Sequence, residues 1–577
     1  MDGPSASTPS GPPHSPYPSA ASELVAVLAD EGVSHLFINP GTDTAPVQEA
    51  LAAARASGSP HPRAVLCTHE FVALSSAIGH HFVTGAPQAV MVHVDAGTLN
   101  LGSALHNAQR NRVPAVVFAG RSPYSVSADI PGHRDSPIHW QQEQLDQQAV
   151  VRAFGKWTKE VPRGRDLGWI VRRAFQVART DPQGLSYVML PREALMEGGG
   201  GTATSRLRNP RPAVPDPDSL AELALYLADA DNPVIVTGRT GAKPAAVTSL
   251  VKLAELLGCA VIDHHDRLNF PPRHALYAGE TSKLLENADV VLLLDVEVPW
   301  VPAHVTPPPG AVVLQIDRDC VKADMPSWVY PVALSVEADT SAALPLLVGE
   351  VQGLGTRERT ARWSARRQEV TRRLSRVRQG WQAEAEASDA ESAADAMLAS
   401  LNGALPGDAI VLSEPVTNSG AVARQIVRDP GQFFRTGSPA LGWAVAGALG
   451  VKLGRPESSV IAICGDGAFN FGVPTAALWS AHKAGAPFIS VILDNHAYHA
   501  SKLPVQRLYP GGAADAEGSF PETDLAPAPD YVQLARAYGG DGLVVTQPED
   551  VPMALRHCLK LQAENRCSVI DIKLPAA

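Results

Sequence analysis

The stretch from Val460 to Tyr498 constrains the fold of this chain more than any other. It begins with an apolar, mostly β-branched run at 460–464, which is followed by Gly465-Asp466-Gly467. After an alanine-rich segment, a second apolar run at 488–493 ends at Asp494-Asn495. Short apolar runs separated by a helix-length segment are typical of buried parallel strands. The stretch therefore predicts a strand–turn–helix–strand unit.

Two polar residues follow the ends of these two predicted strands. In a parallel sheet both strands end at the edge where α/β folds place ligands, so Asp466 and Asn495 should lie close together. One carboxylate and one amide oxygen form a hard ligand set that Mg²⁺ accepts together with phosphate oxygens. Gly465 and Gly467 permit a sharp turn and a close approach, and the following helix directs free amides toward an anion. We expect a diphosphate held through a metal ion.

Composition limits the classes of protein to which this chain can belong. With 577 residues, 45% of them hydrophobic and 19% charged, the chain predicts three or four soluble globular domains. It has neither an apolar run of membrane-spanning length nor a signal-peptide pattern, so we expect a cytoplasmic protein with no membrane partner. The net charge of −11 argues against nucleic acid as a partner. The six cysteines lack metal-ligand spacing and are expected to be reduced and mostly buried.

The order of apolar and helical patterns predicts an α/β protein with three doubly wound parallel-sheet domains in series. None of the three has a G-x-G-x-x-G between strand and helix, which argues against an NAD-dependent Rossmann enzyme. The expected organisation is a disordered N-terminus at 1–19, a first domain at 20–195, a linker at 196–216, a central domain at 217–350, a solvated linker helix within 351–388, and a third domain at 389–577.

The Gly-Asp-Gly motif and the Asn that follows resemble the metal motif of the thiamin diphosphate (ThDP) decarboxylase and acetolactate synthase superfamily. In that superfamily the Asp, the Asn and a main-chain carbonyl two residues later bind the metal, which implies Asp466, Asn495 and Ala497 as Mg²⁺ ligands. The family usually has Asn-Asn where this chain has Asp494-Asn495. The resemblance covers the chain from about residue 20, and it implies pyrimidine-binding, central and diphosphate-binding domains in that order.

The segment THEFVALSSAIGHHFV resembles the superfamily segment that carries the cofactor-activating glutamate, which implies this role for Glu70. Such a carboxyl group hydrogen-bonds the pyrimidine ring of the cofactor and favours the imino tautomer that deprotonates the thiazolium C2. The alternative is an ordinary glutamate, favoured at a helix N-terminus by the helix dipole.

A further run, RTGSPALGW at 435–443, resembles the superfamily segment that cradles the cofactor. By position Leu441 would be the apolar side chain that keeps the two cofactor rings facing each other. The alternative is an ordinary core leucine. The resemblance implies other cofactor contacts at Gly41, Gly97, Asn100, Gly465, Gly467, Ala468, Phe469 and Tyr498.

Two segments are expected on the substrate side. FINPGTDTAP and VMVHVDAGTLN resemble the benzoylformate decarboxylase family, which implies a substrate-facing hydroxyl at Thr42 and an active-site histidine at His93. Histidine titrates near neutral pH and can relay protons, although a strand-end histidine is often structural. Weaker candidates are His133, His139, Gln142, His496, His499 and Lys502.

The resemblance implies a ThDP- and Mg²⁺-dependent, non-oxidative enzyme acting on a small 2-oxo acid. Loss of CO₂ would leave an enamine, which is protonated to an aldehyde or captured by a second carbonyl. FAD is not expected, because the glycine-rich FAD segments of acetolactate synthases are not recognisable in the central domain. The alternatives are an acetolactate-synthase-like carboligase, a C–C lyase, or a non-catalytic ThDP-binding homologue. A homodimer or homotetramer is expected, because in this superfamily the glutamate and the metal motif of one site come from different subunits.

Overall fold

The computed structural model describes residues 17–201, 205–264, 266–387, 389, 392–435 and 440–575. The predicted disorder at 1–19 falls almost entirely outside these residues, as do residues 436–439 of the predicted cofactor-cradling segment. The described chain forms two compact units. The first contains the chain up to Leu66, Ala86–Gly102 and Pro114–Asn209, and the second contains Cys67–Gly85, Ser103–Val113 and the chain from Pro210 onward.

The first sheet has six parallel strands in the order β2-β1-β3-β4-β6-β5. Its central strands β3 and β4 are buried almost along their whole length, as apolar strands of a helix-covered sheet should be. The strands are β1 His35–Ile38, β2 Arg63–Leu66, β3 Gln88–Val92, β4 Ala115–Arg121, β5 Trp157–Glu160 and β6 Ser186–Pro191. The helices of this part of the chain are α1 Ala20–Asp30, α2 Ala45–Ser57, α3 Glu70–Thr84, α4 Val94–Asn100, α5 Ser103–Arg110, α6 Ile138–Gln141, α7 Ala149–Arg152, α8 Leu167–Arg179 and α9 Arg192–Met196.

The second sheet has five parallel strands in the order β11-β10-β9-β7-β8. Its strands are β7 Pro233–Thr237, β8 Ala260–Asp263, β9 Val290–Leu294, β10 Val312–Asp317 and β11 Leu334–Glu337. The accompanying helices are α10 Pro217–Asp229, α11 Pro244–Leu257, α12 Thr340–Gly353 and α13 Arg357–Glu386.

The third sheet has six parallel strands in the order β13-β12-β14-β15-β17-β16. Its strands are β12 Ile410–Glu414, β13 Phe433–Arg435, β14 Val460–Gly465, β15 Ile489–Asp494, β16 Asp541–Val545 and β17 Ser568–Lys573. The helices are α14 Ala393–Ala404, α15 Ser419–Gln425, α16 Trp443–Gly454, α17 Asp466–Phe471, α18 Pro474–Ala484, α19 His499–Leu508, α20 Ala513–Glu517, α21 Tyr531–Ala537 and α22 Val551–Ala563. The predicted fold of three parallel-sheet α/β domains is confirmed.

Helix α13 differs from the solvated linker helix that the sequence predicted. Trp363, Arg366 and Leu374 on this 30-residue helix are buried. The Trp363 indole donates to the Ala228 carbonyl at 3.0 Å, and Arg366 Nε donates to the Leu257 carbonyl at 2.8 Å. The expectation is therefore wrong for one face of the helix, because that face caps the ends of two helices of the central domain.

Helices α3 and α16 pack backbone against backbone within the second unit. A Cβ atom on Gly79 would lie 2.2 Å from the Gly447 carbonyl oxygen, and one on Gly450 would lie 1.7 Å from the Ser76 carbonyl oxygen. The Ser76 hydroxyl donates across the contact to the Ala446 carbonyl at 2.9 Å. Only glycine permits so close an approach. This contact fixes the helix whose first residue is Glu70.

Candidate active site

A cleft lies at the carboxyl edge of the third sheet, where β14 and β15 run side by side with Gly465 opposite Leu493. Both predicted side-chain metal ligands line it, together with Ala497 and Leu441. Gly465, Gly467, Ala468 and Tyr498 from the predicted cofactor contacts also line this cleft. Phe469 is fully buried instead, with its ring edge-on to Tyr531. The structure thus brings together residues that lie far apart in the sequence.

The donors in the cleft fit a hard cation. Asp466 is 3% exposed, its Oδ1 accepts the Gly467 amide at 2.8 Å, and its Oδ2 is buried with no hydrogen-bond partner in the described chain. Burial, reinforced by the neighbouring Asp494 carboxylate, raises the pKa of Asp466 to about 6. A bound cation would offset the free-energy cost of burying the Asp466 carboxylate. With the Asn495 amide oxygen and the Ala497 carbonyl, Asp466 supplies the oxygen donors that Mg²⁺ prefers.

Asp494, the residue that departs from the family pattern, is completely buried. Its Oδ2 accepts from the Lys573 ammonium at 2.5 Å, and its Oδ1 accepts from the His496 amide at 3.0 Å. Although burial opposes ionisation, these donors lower the pKa of Asp494 below its usual range. The aspartate is therefore tolerated before the metal ligand because Lys573, at the end of β17, neutralises it.

The loop that carries Leu441 is held by a carboxyl group that the sequence analysis missed. Glu414, at the end of β12, lines the cleft and accepts the amides of Trp443 at 3.2 Å and Ala444 at 3.0 Å. Burial raises the pKa of Glu414 to about 8. Gly442, between Leu441 and these amides, has a φ of +98°, which favours glycine. Glu414 thus caps α16 and fixes the position of Leu441.

The last glycine of the motif is required by packing. A Cβ atom on Gly467 would lie 2.6 Å from the ring of Tyr498. Tyr498 is held in turn by its amide, which donates to the Thr523 carbonyl at 2.8 Å. Of the predicted pocket residues that follow, His499 lines the cleft. The Lys502 ammonium instead lies 4.8 Å from the centre of the Phe520 ring.

Glu70 is the first residue of α3 and is 4% exposed. The preceding His69 caps the helix, its imidazole accepting the Phe71 amide at 3.2 Å. Glu70 is not among the residues that line the cleft around Asp466. This chain therefore places the predicted activating glutamate on a buried helix start.

The predicted substrate-side residues lie in the first unit, at the carboxyl edge of the first sheet. Thr42 begins a short 3₁₀ turn after β1, and His93 follows β3 directly. His93 Nδ1 lies 2.5 Å from Asp43 Oδ1, and Asp43 is almost fully buried. The Asp43 hydrogen bond raises the pKa of His93. Asp43 is the second polar group that the sequence analysis missed.

The weaker substrate-side candidates lie on the segment between β4 and β5. The side chain of Gln142 lies near His93 and raises its pKa further. His139 is buried, with its Nδ1 3.4 Å from Asp135, whereas His133 Nδ1 lies 2.9 Å from the Ile130 carbonyl oxygen. Gly97 and Asn100, predicted to contact the cofactor, both lie on α4 just after His93. The structure therefore gathers Gln142, and not His133, at the histidine.

Two features are absent from the described residues. None of their helices is long and apolar enough to cross a membrane. None of the His, Cys, Asp and Glu side chains of the described residues form a group of three or more that could hold a metal ion.

Comparison with known proteins gives consistent relatives. The chain is 27% identical over 568 residues to benzoylformate decarboxylase of Pseudomonas aeruginosa, covering 95% of this chain and 97% of that protein. It is 25% identical to sulfoacetaldehyde acetyltransferase of Rhodobacter capsulatus, covering 95% and 93%. The structure of a ThDP-dependent 4-hydroxybenzoylformate decarboxylase from Rhodococcus jostii RHA1 shares the fold, with a TM-score of 0.79, 24% identity and coverage of 97% and 99%.

Sequence profiles of one enzyme family match all three sheets in order. Residues 19–150 match the N-terminal thiamine pyrophosphate binding domain, residues 220–347 the central domain, and residues 416–572 the C-terminal thiamine pyrophosphate binding domain. Together these matches cover most of the chain and include Glu70, His93, Asp466 and Asn495. The chain belongs to the thiamine pyrophosphate enzyme family, whose members among its relatives include decarboxylases and acetolactate synthases.

Proposed function

We propose that this protein is a ThDP- and Mg²⁺-dependent enzyme that decarboxylates a small 2-oxo acid without oxidation and releases an aldehyde. Bound ThDP would supply the carbanion that adds to the keto carbon and the electron sink that permits CO₂ to leave. The observation that carries the proposal is the buried Asp466 carboxylate oxygen that has no hydrogen-bond partner among the described residues, in one cleft with Asn495 and Ala497.

The metal ligands would be the Asp466 carboxylate, the Asn495 amide oxygen and the Ala497 carbonyl. Helix α17 begins at Asp466, so the positive end of its dipole would face the diphosphate. Leu441, held in the cleft wall by Glu414, would keep the cofactor rings facing each other. Each of these groups binds or orients, and none of them exchanges a proton with substrate.

Glu70 would hydrogen-bond the pyrimidine ring and exchange a proton with it. Burial at the start of α3 suits this task because water is kept from the carboxyl group. In this superfamily the glutamate and the metal motif of one site come from different subunits. Glu70 is not among the residues that line the cleft of its own chain, which is compatible with the same arrangement here, and we therefore propose a homodimer or homotetramer.

His93 and Thr42 would act on the substrate. An imidazole whose pKa is raised can donate a proton to the carbon that has lost CO₂, and general acids of this kind contribute roughly 10²–10⁴-fold. This favours release of an aldehyde over transfer to a second carbonyl. The relative named benzoylformate decarboxylase supports the same choice, whereas the relative named acetyltransferase makes acyl transfer the competing outcome.

The test is CO₂ release from a panel of aliphatic and aromatic 2-oxo acids, with and without an acceptor aldehyde. Activity should require both ThDP and Mg²⁺. Glu70→Gln should retain Mg²⁺-dependent ThDP binding while deuterium exchange at C2 of the cofactor slows by orders of magnitude, because an amide cannot exchange the proton. Wild-type exchange in this variant, or ThDP binding with no turnover of any 2-oxo acid, would contradict the proposal.

A further inference from the structure

A carboxylate that the proposed chemistry does not use lies against its histidine. Asp43 has a side chain 3% exposed, and its Oδ1 is 2.5 Å from Nδ1 of His93, whose side chain is 27% exposed. The two residues are far apart in sequence, and the pair forms because β1 and β3 are neighbours in the sheet. Each residue follows the carboxyl end of its strand, so the contact lies at the edge where α/β folds bind ligands.

The surrounding backbone fixes this carboxylate in one orientation. Asp43 Oδ2 accepts the Val94 amide at 3.3 Å, so each carboxylate oxygen has a partner on or next to the histidine. A Cβ atom on Gly120 would lie 1.5 Å from Asp43 Oδ2, and one on Gly41 would lie 2.0 Å from His93 Nδ1. Glycine at these two positions makes room for the pair. The backbone on either side therefore accommodates both the carboxylate and the ring.

We propose that Asp43 is a positioning residue that accepts a hydrogen bond from the Nδ1–H of His93 and thereby presents Nε2 as the nitrogen that serves the substrate. This inference rests on the proposed function. The hydrogen-bond partner of one imidazole nitrogen decides which tautomer the ring adopts. In the proton transfer, Nε2 gives its proton to the carbon that has lost CO₂, Nδ1 keeps its proton toward Asp43, and Nε2 regains a proton from water.

The charges that face the pair act in the same direction. The hydrogen bond to Asp43 raises the pKa of His93 against the opposing effect of burial, and Gln142 and the Asp95 carboxylate raise it further. Two more titratable groups face Asp43. They are His139, whose pKa is lowered mainly by burial, and Tyr187, whose pKa burial raises to about 12. Neither donates to Asp43 in the hydrogen bonds of the described chain, so Asp43 remains available to His93.

The first test is ¹⁵N NMR of the full-length protein carrying labelled histidine, with the His93 signals assigned by their loss in His93→Ala. The wild type should show a protonated Nδ1 at every pH and a His93 pKa above the ordinary histidine value. Asp43→Asn should lower that pKa and mix the two tautomers. Asp95→Asn is the matched control, because it removes a nearby charge without a hydrogen bond to the ring, and it should keep Nδ1 protonated.

The wild-type measurement requires no variant, so a neutral His93 protonated at Nε2 would overturn the inference even if Asp43→Asn failed to fold. Gly120→Ala is a second variant, because its Cβ would displace the Asp43 carboxylate and should lower the His93 pKa in the same way. Unchanged tautomer and pKa in a folded Asp43→Asn protein would also overturn it. These outcomes do not depend on catalysis.

The second test uses turnover of an accepted 2-oxo acid. Asp43→Asn should lower kcat with little change in KM, by a factor within the roughly 10²–10⁴-fold range of general acid–base catalysis. The alkaline limb of its pH profile should move to lower pH, because His93 would lose its proton earlier. An unmoved limb would refute the positioning role. Absence of turnover in the wild type would refute the proposed function instead, and the NMR result would still decide the inference.

Discussion

Gly450→Ala should separate helices α3 and α16. The new Cβ would lie 1.7 Å from the Ser76 carbonyl oxygen and 2.9 Å from the His80 amide nitrogen, whereas real Cβ atoms essentially never come closer than 3.0 Å. The Ser76 oxygen would therefore have to retreat by about 1.3 Å. Because both obstacles are backbone atoms, a rotamer change cannot relieve the clash. The helices themselves have to move.

The energetic cost follows from this geometry. Overpacking typically destabilises by about 1–3 kcal/mol, and a clash with rigid backbone belongs at the upper end. The intrinsic helix preference of alanine returns about 0.5–1 kcal/mol, which leaves a net loss of about 2 kcal/mol. Since α3 begins at Glu70, the displacement should also reach the proposed activating carboxyl group. A misplacement of about 1 Å can cost about 10²-fold in rate.

The assay is urea unfolding followed by circular dichroism, together with the rate of C2 deuterium exchange on the bound cofactor. Gly349→Ala on α12 is the matched control, because nothing lies within 4 Å of its new Cβ. It should raise the free energy of unfolding by about 0.5–1 kcal/mol and leave exchange unchanged. Equal urea midpoints for the two variants, or wild-type exchange in Gly450→Ala, would refute the reasoning.

Three further predictions concern single side chains. Asp466→Ala should abolish Mg²⁺-dependent ThDP binding measured by titration calorimetry, and retained tight binding would remove Asp466 from the metal site. Glu414 has a pKa of about 8 in the folded protein and 4.5 in the unfolded chain. Its contribution to the free energy of unfolding should therefore be complete below pH 4.5 and should fall as the pH rises, by about 3 kcal/mol at pH 7. Glu414→Gln should flatten this part of the urea stability profile, and parallel profiles would contradict the assignment. His93→Ala should keep C2 exchange but lose aldehyde formation by roughly 10²–10⁴-fold, with product diverted to an added acceptor aldehyde; unchanged aldehyde release would make His93 structural.

The fold could be predicted because short apolar runs mark many of the buried strands locally. The apolar run before Asp466 and the one before Asn495 correspond to β14 and β15, with ends shifted by one residue. Strand ends are set by the sheet register as well as by the apolar pattern, so small errors of this kind are expected.

The parts of the site that escaped prediction depend on contacts between distant residues. Asp43 gains its role from His93, and Glu414 from the amides of Trp443 and Ala444, with no local pattern to mark either carboxylate. The available signals were a carboxylate in the turn after β1 for Asp43 and a carboxylate at the last position of β12 for Glu414. Helix α13 was predicted to be solvated because most of its residues are polar or charged. Trp363 and Arg366 nevertheless donate hydrogen bonds to the central domain.

The burial of α3 limits how this protein can be divided. Nearly every residue from Glu70 to Val83 is buried, and the helix packs on α16, more than 350 positions later in the chain. A gene fragment ending near residue 195 would contain all six strands of the first sheet but would expose this apolar helix to water. Such a fragment should aggregate when expressed alone. Exchange of the first domain between relatives should likewise succeed only when α16 is exchanged with it.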